Sequence, residues 1–199
     1  HQPARRPPAS RGEGVSLVPA GYAAAAPQLT VRTGATSDER FVPEARRAWQ
    51  QAARDLSAIG LDLPAATLVA YRDAAAFRRA TGRDSGVAAV TAAGTIHTQR
   101  LGALADRGIL TLTVRHEAFH LAQPPRLPLW LAEGLARVFS GEQARDTGPT
   151  GLEGLDAAGL ERELVLGGPR LLRAYREAGR RAARLIEASG WAGVLRPYR

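Results

Sequence analysis

The stretch from residue 109 to residue 122 contains neither glycine nor proline, and Pro124 and Pro125 follow it. Proline cannot continue a helix and also restricts the residue before it, so the stretch is predicted to be one helix that ends before the proline pair. Four of its apolar residues fall near one stripe at helical spacing: Leu110, Val114, Ala118 and Leu121. Such a stripe indicates a helix that packs against a core.

The same stretch carries two histidines, His116 and His120, four positions apart. Residues four apart on a helix share a face, with Cβ atoms about 5–6 Å apart, so both imidazoles can reach one metal ion. Glu117 directly follows the first histidine, where it can face a metal-bound water as a general base. Glu133 lies in a second predicted helix that starts near Pro128, and a short proline-rich turn can bring it back as the third ligand. Three protein ligands with one open position are typical of a catalytic zinc site.

These two segments together resemble a known family. His116-Glu117-Ala118-Phe119-His120 is followed by Pro128-Leu129-Trp130-Leu131-Ala132-Glu133-Gly134-Leu135-Ala136, a pattern similar to that of the peptidase MA-like gluzincin family of zinc metallopeptidases. The resemblance covers roughly residues 28 to 196. It implies a zincin-like fold, one Zn²⁺ ion, and a peptide or protein substrate. The competing interpretation is that the two histidines are surface residues beside an ordinary charged residue.

The resemblance also implies roles for residues outside the motif. Tyr175, early in the closing helix, is the candidate second donor to the oxyanion, although it can equally be a half-buried tyrosine packed on the Glu133 helix. His97 would lie on the edge strand that lines the cleft, where it can touch substrate or be a plain surface histidine. Arg137 stands where some gluzincins have an aspartate that supports a ligand histidine. Asp106 or a main-chain carbonyl is the candidate replacement.

The order of the remaining elements predicts an α+β domain: a small sheet packed on the active helix, then a mainly helical half. Residues 1–27 are read as a flexible arm or linker, because they are rich in Pro, Arg, Gly and Ala without periodicity, and residues 28–199 as the metallopeptidase domain. The predicted strands are residues 28–32, 66–71, 86–90 and 94–98, and the further predicted helices are 41–59, 73–81, 155–166 and 169–188, with a last turn at 191–195.

Composition narrows the function classes. The chain has 199 residues, no cysteine and a net charge of +8 in which all 27 basic residues are arginine. The lack of cysteine excludes disulfides, zinc–thiolate sites and a thiol nucleophile. The positive charge suits an anionic cell-envelope surface or polymer, or is simply a solvated coat. Nucleic-acid binding is not expected, because charge alone supports it and no recognised binding motif is present.

Two functions from different classes remain. The leading hypothesis is a zinc peptidase, which we expect to be secreted or associated with the cell envelope. The chain begins at His1 and contains no methionine, so we expect a processed product from which any signal peptide has been removed. The alternative is a non-catalytic module of the same fold that binds an anionic wall or membrane polymer through its arginines. Glu117 argues against the alternative, because a purely structural zinc site does not need that carboxylate.

Overall fold

A computed structural model describes residues 26–199 of the protein. Its sheet has four strands: β1 (Leu29–Thr33), β2 (Ala66–Ala70), β3 (Ala89–Ala92) and β4 (Thr95–Thr98). Their order across the sheet is β1-β2-β4-β3. β1, β2 and β4 are parallel, and β3 pairs antiparallel with β4, with Val90 opposite His97. β3 is therefore one edge of the sheet, and it lies against the helix that carries the two histidines.

The described part of the chain contains seven α-helices: α1 (Val42–Ala58), α2 (Ala74–Thr81), α3 (Leu101–Asp106), α4 (Leu110–Ala122), α5 (Leu129–Ser140), α6 (Ala157–Leu166) and α7 (Leu171–Leu195). The predicted α+β class is confirmed. None of the helices within residues 26–199 combines the length and the apolar character needed to cross a bilayer.

Two apolar clusters hold these elements together. The larger one joins the sheet to α1, α4 and α5, and its largest buried side chains include Trp49, Leu68, Ile96, Phe119 and Leu135. The smaller one lies between α6, α7 and the loop before α6, and its buried members are Leu152, Leu160, Leu164, Ala174 and Ala178. Because α5 packs against both α4 and α7, it connects the two clusters.

Local signals in the sequence predicted several boundaries correctly. α4 ends at Ala122, before the proline pair, as expected. α2 begins after Asp73, whose carboxylate accepts a hydrogen bond from Ala76 N at 2.7 Å, and it ends at Gly82 in the left-handed conformation. Both caps follow from residue type, because aspartate satisfies free N–H groups at a helix start and glycine adopts positive φ without steric cost.

Three elements differ from the prediction. β3 begins at residue 89 rather than 86, because Asp84 accepts hydrogen bonds from Gly86 N and Val87 N in a turn. α3 was not predicted. The buried carboxylate of Asp38 accepts hydrogen bonds from its first two N–H groups, those of Leu101 and Gly102. The last helix begins at Leu171 rather than 169, and Gly190, at φ 68° and ψ 168°, separates its main part from residues 191–195, where the last turn was predicted.

Residues 1–25 of the predicted arm lie outside the described residues. At its end, the carbonyl oxygen of Pro27 accepts a hydrogen bond from Trp49 Nε1 at 2.6 Å. Residue 27 is therefore anchored to α1, and β1 follows directly.

Candidate metal centre

The two histidines and Glu133 come together through the turn between α4 and α5. α4 stops because Gln123 takes an extended conformation before the proline pair. α5 then starts after Pro128, and its first two N–H groups, of Leu129 and Trp130, donate to the carboxylate of Glu161 on α6 at 2.9 and 2.7 Å. This cap satisfies N–H groups that have no partner within the helix. The reversal places Glu133, in the second turn of α5, opposite the histidine face of α4.

The three predicted ligands form one compact group. His116 Nε2 lies 3.1 Å from His120 Nε2 and 3.2 Å from Glu133 Oε2, and His120 Nε2 lies 3.3 Å from Glu133 Oε1. For zinc–ligand distances of about 2.0–2.1 Å, two corners of a tetrahedron are about 3.3 Å apart. The distances above are close to this value, although those to Glu133 end on its two different oxygens. With one ligand atom taken from each residue, all three atoms lie within 4.8 Å of one another. The group can hold a metal ion.

The far nitrogen of each imidazole is held by a hydrogen-bond acceptor. His116 Nδ1 lies 2.6 Å from Glu142 Oε1, and His120 Nδ1 lies 2.8 Å from Gln123 Oε1. Each Nδ1 therefore carries the proton, and in the neutral imidazole the Nε2 lone pair is left facing the other histidine and Glu133. In this neutral form two lone pairs and a carboxylate converge, an arrangement that either a metal ion or added protons stabilise. Such partners orient metal-binding histidines and set their tautomer.

Glu142 is itself fixed by α5. Its Oε1 accepts from Ser140 Oγ at 2.8 Å, and its Oε2 accepts from Arg137 Nη1 at 2.9 Å. Arg137 also donates through Nη2 to both carboxylate oxygens of Asp146, at 2.8 and 2.9 Å. Arg137 thus supports the ligand histidine indirectly, by holding the carboxylate that binds it.

The expectation that Asp106 or a main-chain carbonyl fills this role is wrong. Asp106 is exposed at the end of α3, whereas Glu142 contacts His116. The sequence contained a usable signal, because Gly141 ends α5 in the left-handed conformation at φ 95° and turns the next residue back toward the helix end. A carboxylate directly after that glycine was a candidate. The contact of Thr91 with Glu117 and that of Gln123 with His120 were not predicted either.

In the metal-free protein these groups titrate together. Burial lowers the pKa of His116, but the charges and hydrogen bonds of Glu142 and Glu133 outweigh it and raise the pKa well above its ordinary value. The pKa of His120 is also raised, because Glu133 outweighs the effect of burial there. Burial alone would raise the pKa of Glu133, yet the two histidines bring it far below its usual range. Without a metal the site therefore takes up protons in its place.

Glu117 lies beside the ligand group without belonging to it. It is only 5% exposed, and Thr91 Oγ1 on β3 donates to its Oε2 at 2.5 Å. Thr91 lies on the edge strand, so the sheet orients this carboxylate relative to α4. The ligand side chains are 14–17% exposed. The site is therefore mostly buried but open to water.

Tyr175 lies on α7 and is half-buried against the smaller apolar cluster. Burial, together with the negative charge of Glu133, raises the pKa of Tyr175 to about 12. The hydroxyl is therefore protonated at neutral pH and can donate a hydrogen bond. The electrostatic effect of Glu133 indicates that α7 brings this tyrosine near the ligand group.

His97 does not lie on an edge strand, and that expectation is wrong. It belongs to β4, which lies between β2 and β3. Its Nδ1 is 2.8 Å from the hydroxyl oxygen of Tyr71, and the two rings stack. The edge strand that reaches the site is β3, through Thr91.

Searches of protein-family models, of curated proteins and of solved structures find no match to this chain. The function is therefore argued from the geometry of the site.

Proposed function

We propose that this protein is a zinc-dependent metallopeptidase with a zincin-like fold. The proposal rests mainly on one arrangement: His116, His120 and Glu133 each offer a ligand atom within 4.8 Å of the other two, and the carboxylate of Glu117 lies next to them without belonging to the group. A structural metal site needs only the ligands. A buried carboxylate that is held in position beside them suits proton transfer.

The donor set supports zinc as the metal. Two imidazoles and one carboxylate, with one position left for water, form a known ligand set of catalytic zinc sites. Zinc bound there would lower the pKa of a coordinated water from about 15.7 to about 7 and polarise the scissile carbonyl. The same three ligand types also bind Fe(II) in oxygenases. Glu117 favours hydrolysis, because those oxygenases do not need a general base at this position.

Side chains of the protein supply the proton transfer, the hydrogen bond to the oxyanion and the orientation of the histidines. Glu117 accepts a proton from the attacking water and later delivers it to the leaving amine, and Thr91 holds one of its two oxygens. Tyr175 remains protonated because its pKa is about 12, so it can donate to the oxygen on which negative charge develops. Glu142 and Gln123 keep the two imidazoles in the tautomer and orientation that the ligand role requires.

The sheet edge supports an extended peptide as the substrate. β3 pairs with β4 on one side only, and the opposite side of an edge strand can bind an incoming peptide by main-chain hydrogen bonds. Thr91 lies on this strand and contacts Glu117. A peptide paired along β3 would therefore pass close to the general base.

The test measures metal content and cleavage together. We expect about one zinc per chain by mass spectrometry of the purified protein, and cleavage of an unfolded protein or a quenched peptide library that a chelator abolishes and zinc restores. Glu117→Gln should keep the metal but lose at least the factor of about 10²–10⁴ that general acid–base catalysis contributes. Glu187→Gln is the matched control, because Glu187 is exposed on α7 and should not change the rate.

Three results would contradict the proposal. Retained cleavage by Glu117→Gln would remove the assigned base. Stoichiometric iron without peptide cleavage would instead point to oxygenase chemistry. Metal-independent binding to an anionic polymer, with no cleavage by the native chain, would favour the non-catalytic module.

A further inference from the structure

The connection between α6 and α7 carries the most exposed apolar side chains among the described residues. Val165, Leu166 and Leu172 are 68%, 77% and 67% exposed, whereas the other exposed large apolar residues, Leu129 and Leu185, are 38% and 40% exposed. We call residues 165–172 the α6–α7 tip. Isolated exposed leucines are common, but a contiguous apolar group usually marks a contact surface.

The exposure follows from the local fold. α6 buries Leu160 and Leu164 against α7, so the residues that complete its last turn point away from the core. Gly167 then ends α6 in the left-handed conformation at φ 65°, and the chain reverses into α7. Packing within residues 26–199 therefore does not account for Val165, Leu166 and Leu172, nor does the metal centre.

Positive charge surrounds this apolar group. Arg162, Arg170 and Arg173 are all exposed, and the acidic residues between positions 161 and 173 are Glu161 and Glu163. Glu163 forms an ion pair with Arg170, and the carboxylate of Glu161 accepts hydrogen bonds from Leu129 N and Trp130 N. Arg162 and Arg173 form no ion pair with either glutamate, and the three arginines exceed the two glutamates by one positive charge. An apolar surface bordered by arginines is the composition of segments that lie at the interface of an anionic bilayer.

We propose that the α6–α7 tip binds the protein to the surface of an anionic lipid bilayer, with Val165, Leu166 and Leu172 entering the interfacial region and the arginines contacting the headgroups. The apolar side chains contribute affinity through the area removed from water, and the arginines through attraction to the negative surface. This site does not depend on the proposed peptidase activity, because none of its residues belongs to the metal centre.

The first test is sedimentation of the full chain with vesicles. We expect binding to equimolar phosphatidylglycerol and phosphatidylcholine and weak binding to phosphatidylcholine alone. Each of Val165→Ser, Leu166→Ser and Leu172→Ser should weaken binding about fivefold to tenfold. The matched control is Leu185→Ser, which removes an exposed leucine further along the same helix and should leave binding unchanged.

The second test separates charge from apolar contact. Arg162→Gln and Arg173→Gln should each weaken binding to the anionic vesicles about fivefold at low salt. High salt should reduce binding of the native chain, because headgroup contacts at the surface are screened. Unchanged far-UV circular dichroism and unfolding midpoints would show that the variants are folded.

A tryptophan probe gives an independent measure of insertion. Emission of Leu166→Trp should shift to the blue when anionic vesicles are added, and emission of Leu185→Trp should not. Equal vesicle binding by the native chain and all three serine variants would overturn the proposal. It would also be overturned if the native chain formed a dimer that the serine substitutions dissociate, because the tip would then be an interface between two copies of the chain.

Discussion

Gly134 follows the candidate ligand Glu133, and it allows α5 to approach α7 closely. A Cβ atom at this position would lie 2.3 Å from the carbonyl oxygen of Ala178, 2.8 Å from its carbonyl carbon and 2.9 Å from Ala182 Cβ. Ordinary contact begins at 3.4 Å, so Gly134→Ala requires α5 and α7 to separate by about 1 Å. The obstacle is backbone, which cannot be relieved by rotating a side chain.

The expected magnitude combines two opposing effects. Alanine in place of glycine inside a helix stabilises by about 1 kcal/mol. Overpacking a well-packed core costs about 1–3 kcal/mol, and we expect the upper end because both helices are buried along this contact. The net loss in the free energy of unfolding is about 2 kcal/mol. For a domain of this size that corresponds to a melting temperature lower by about 4–8 °C.

The assay is urea denaturation of Gly134→Ala followed by tryptophan fluorescence, with zinc affinity measured on the folded protein. Because the displaced helix carries Glu133, zinc affinity should also fall. Gly154→Ala is the control, since a Cβ there meets no atom within 4 Å and its φ is not positive. If Gly134→Ala were as stable as the native chain, or more stable, the inferred close contact between α5 and α7 would be refuted.

Three further predictions concern the supports of the site and of the fold. Glu142→Gln removes the negative charge that holds His116 and should weaken zinc binding about 10–100-fold in a chelator competition, while unchanged affinity would exclude this role. Tyr175→Phe removes a hydroxyl that is protonated at neutral pH and should lower kcat with little change in zinc content, and an unchanged kcat would exclude the oxyanion role. The carboxylate of Asp38 accepts hydrogen bonds from Leu101 N at 2.8 Å and from Gly102 N at 3.1 Å. Asp38→Ala leaves both N–H groups without this partner. Its free energy of unfolding should fall by about 2–4 kcal/mol in urea, and no loss would mean that water replaces the carboxylate.

The elements that were predicted correctly depend on local chemistry. The proline pair after α4, the aspartate before α2 and the glycine after it act within a few residues, so the chain needs no tertiary contact to specify them. The same holds for His116 and His120, because the helical repeat alone places them on one face. Glu133 required only one additional inference, that a short turn reverses the chain.

What the sequence did not reveal depends on contacts between distant residues. Asp38 caps a helix that begins more than sixty residues later, and no local signal connects the two. The position of His97 in the sheet depends on β3 pairing on the outer side of β4, and the order of strands cannot be read from the strands alone. Glu142 and Thr91 reach the site through the end of α5 and the sheet edge, respectively.

The amino-acid sequence by itself determined the histidine pair, the adjacent carboxylate, Glu133 as a candidate third ligand and the α+β class. The first three follow from helical periodicity and helix-ending prolines, and the class follows from the order of the elements. The tertiary structure alone decided which groups support the ligands and which strand borders them. Those contacts arise when α4, α5, α7 and the sheet bury their apolar faces together. Burial energy is non-directional, so the polar partners that come into contact depend on the complete packing of the chain.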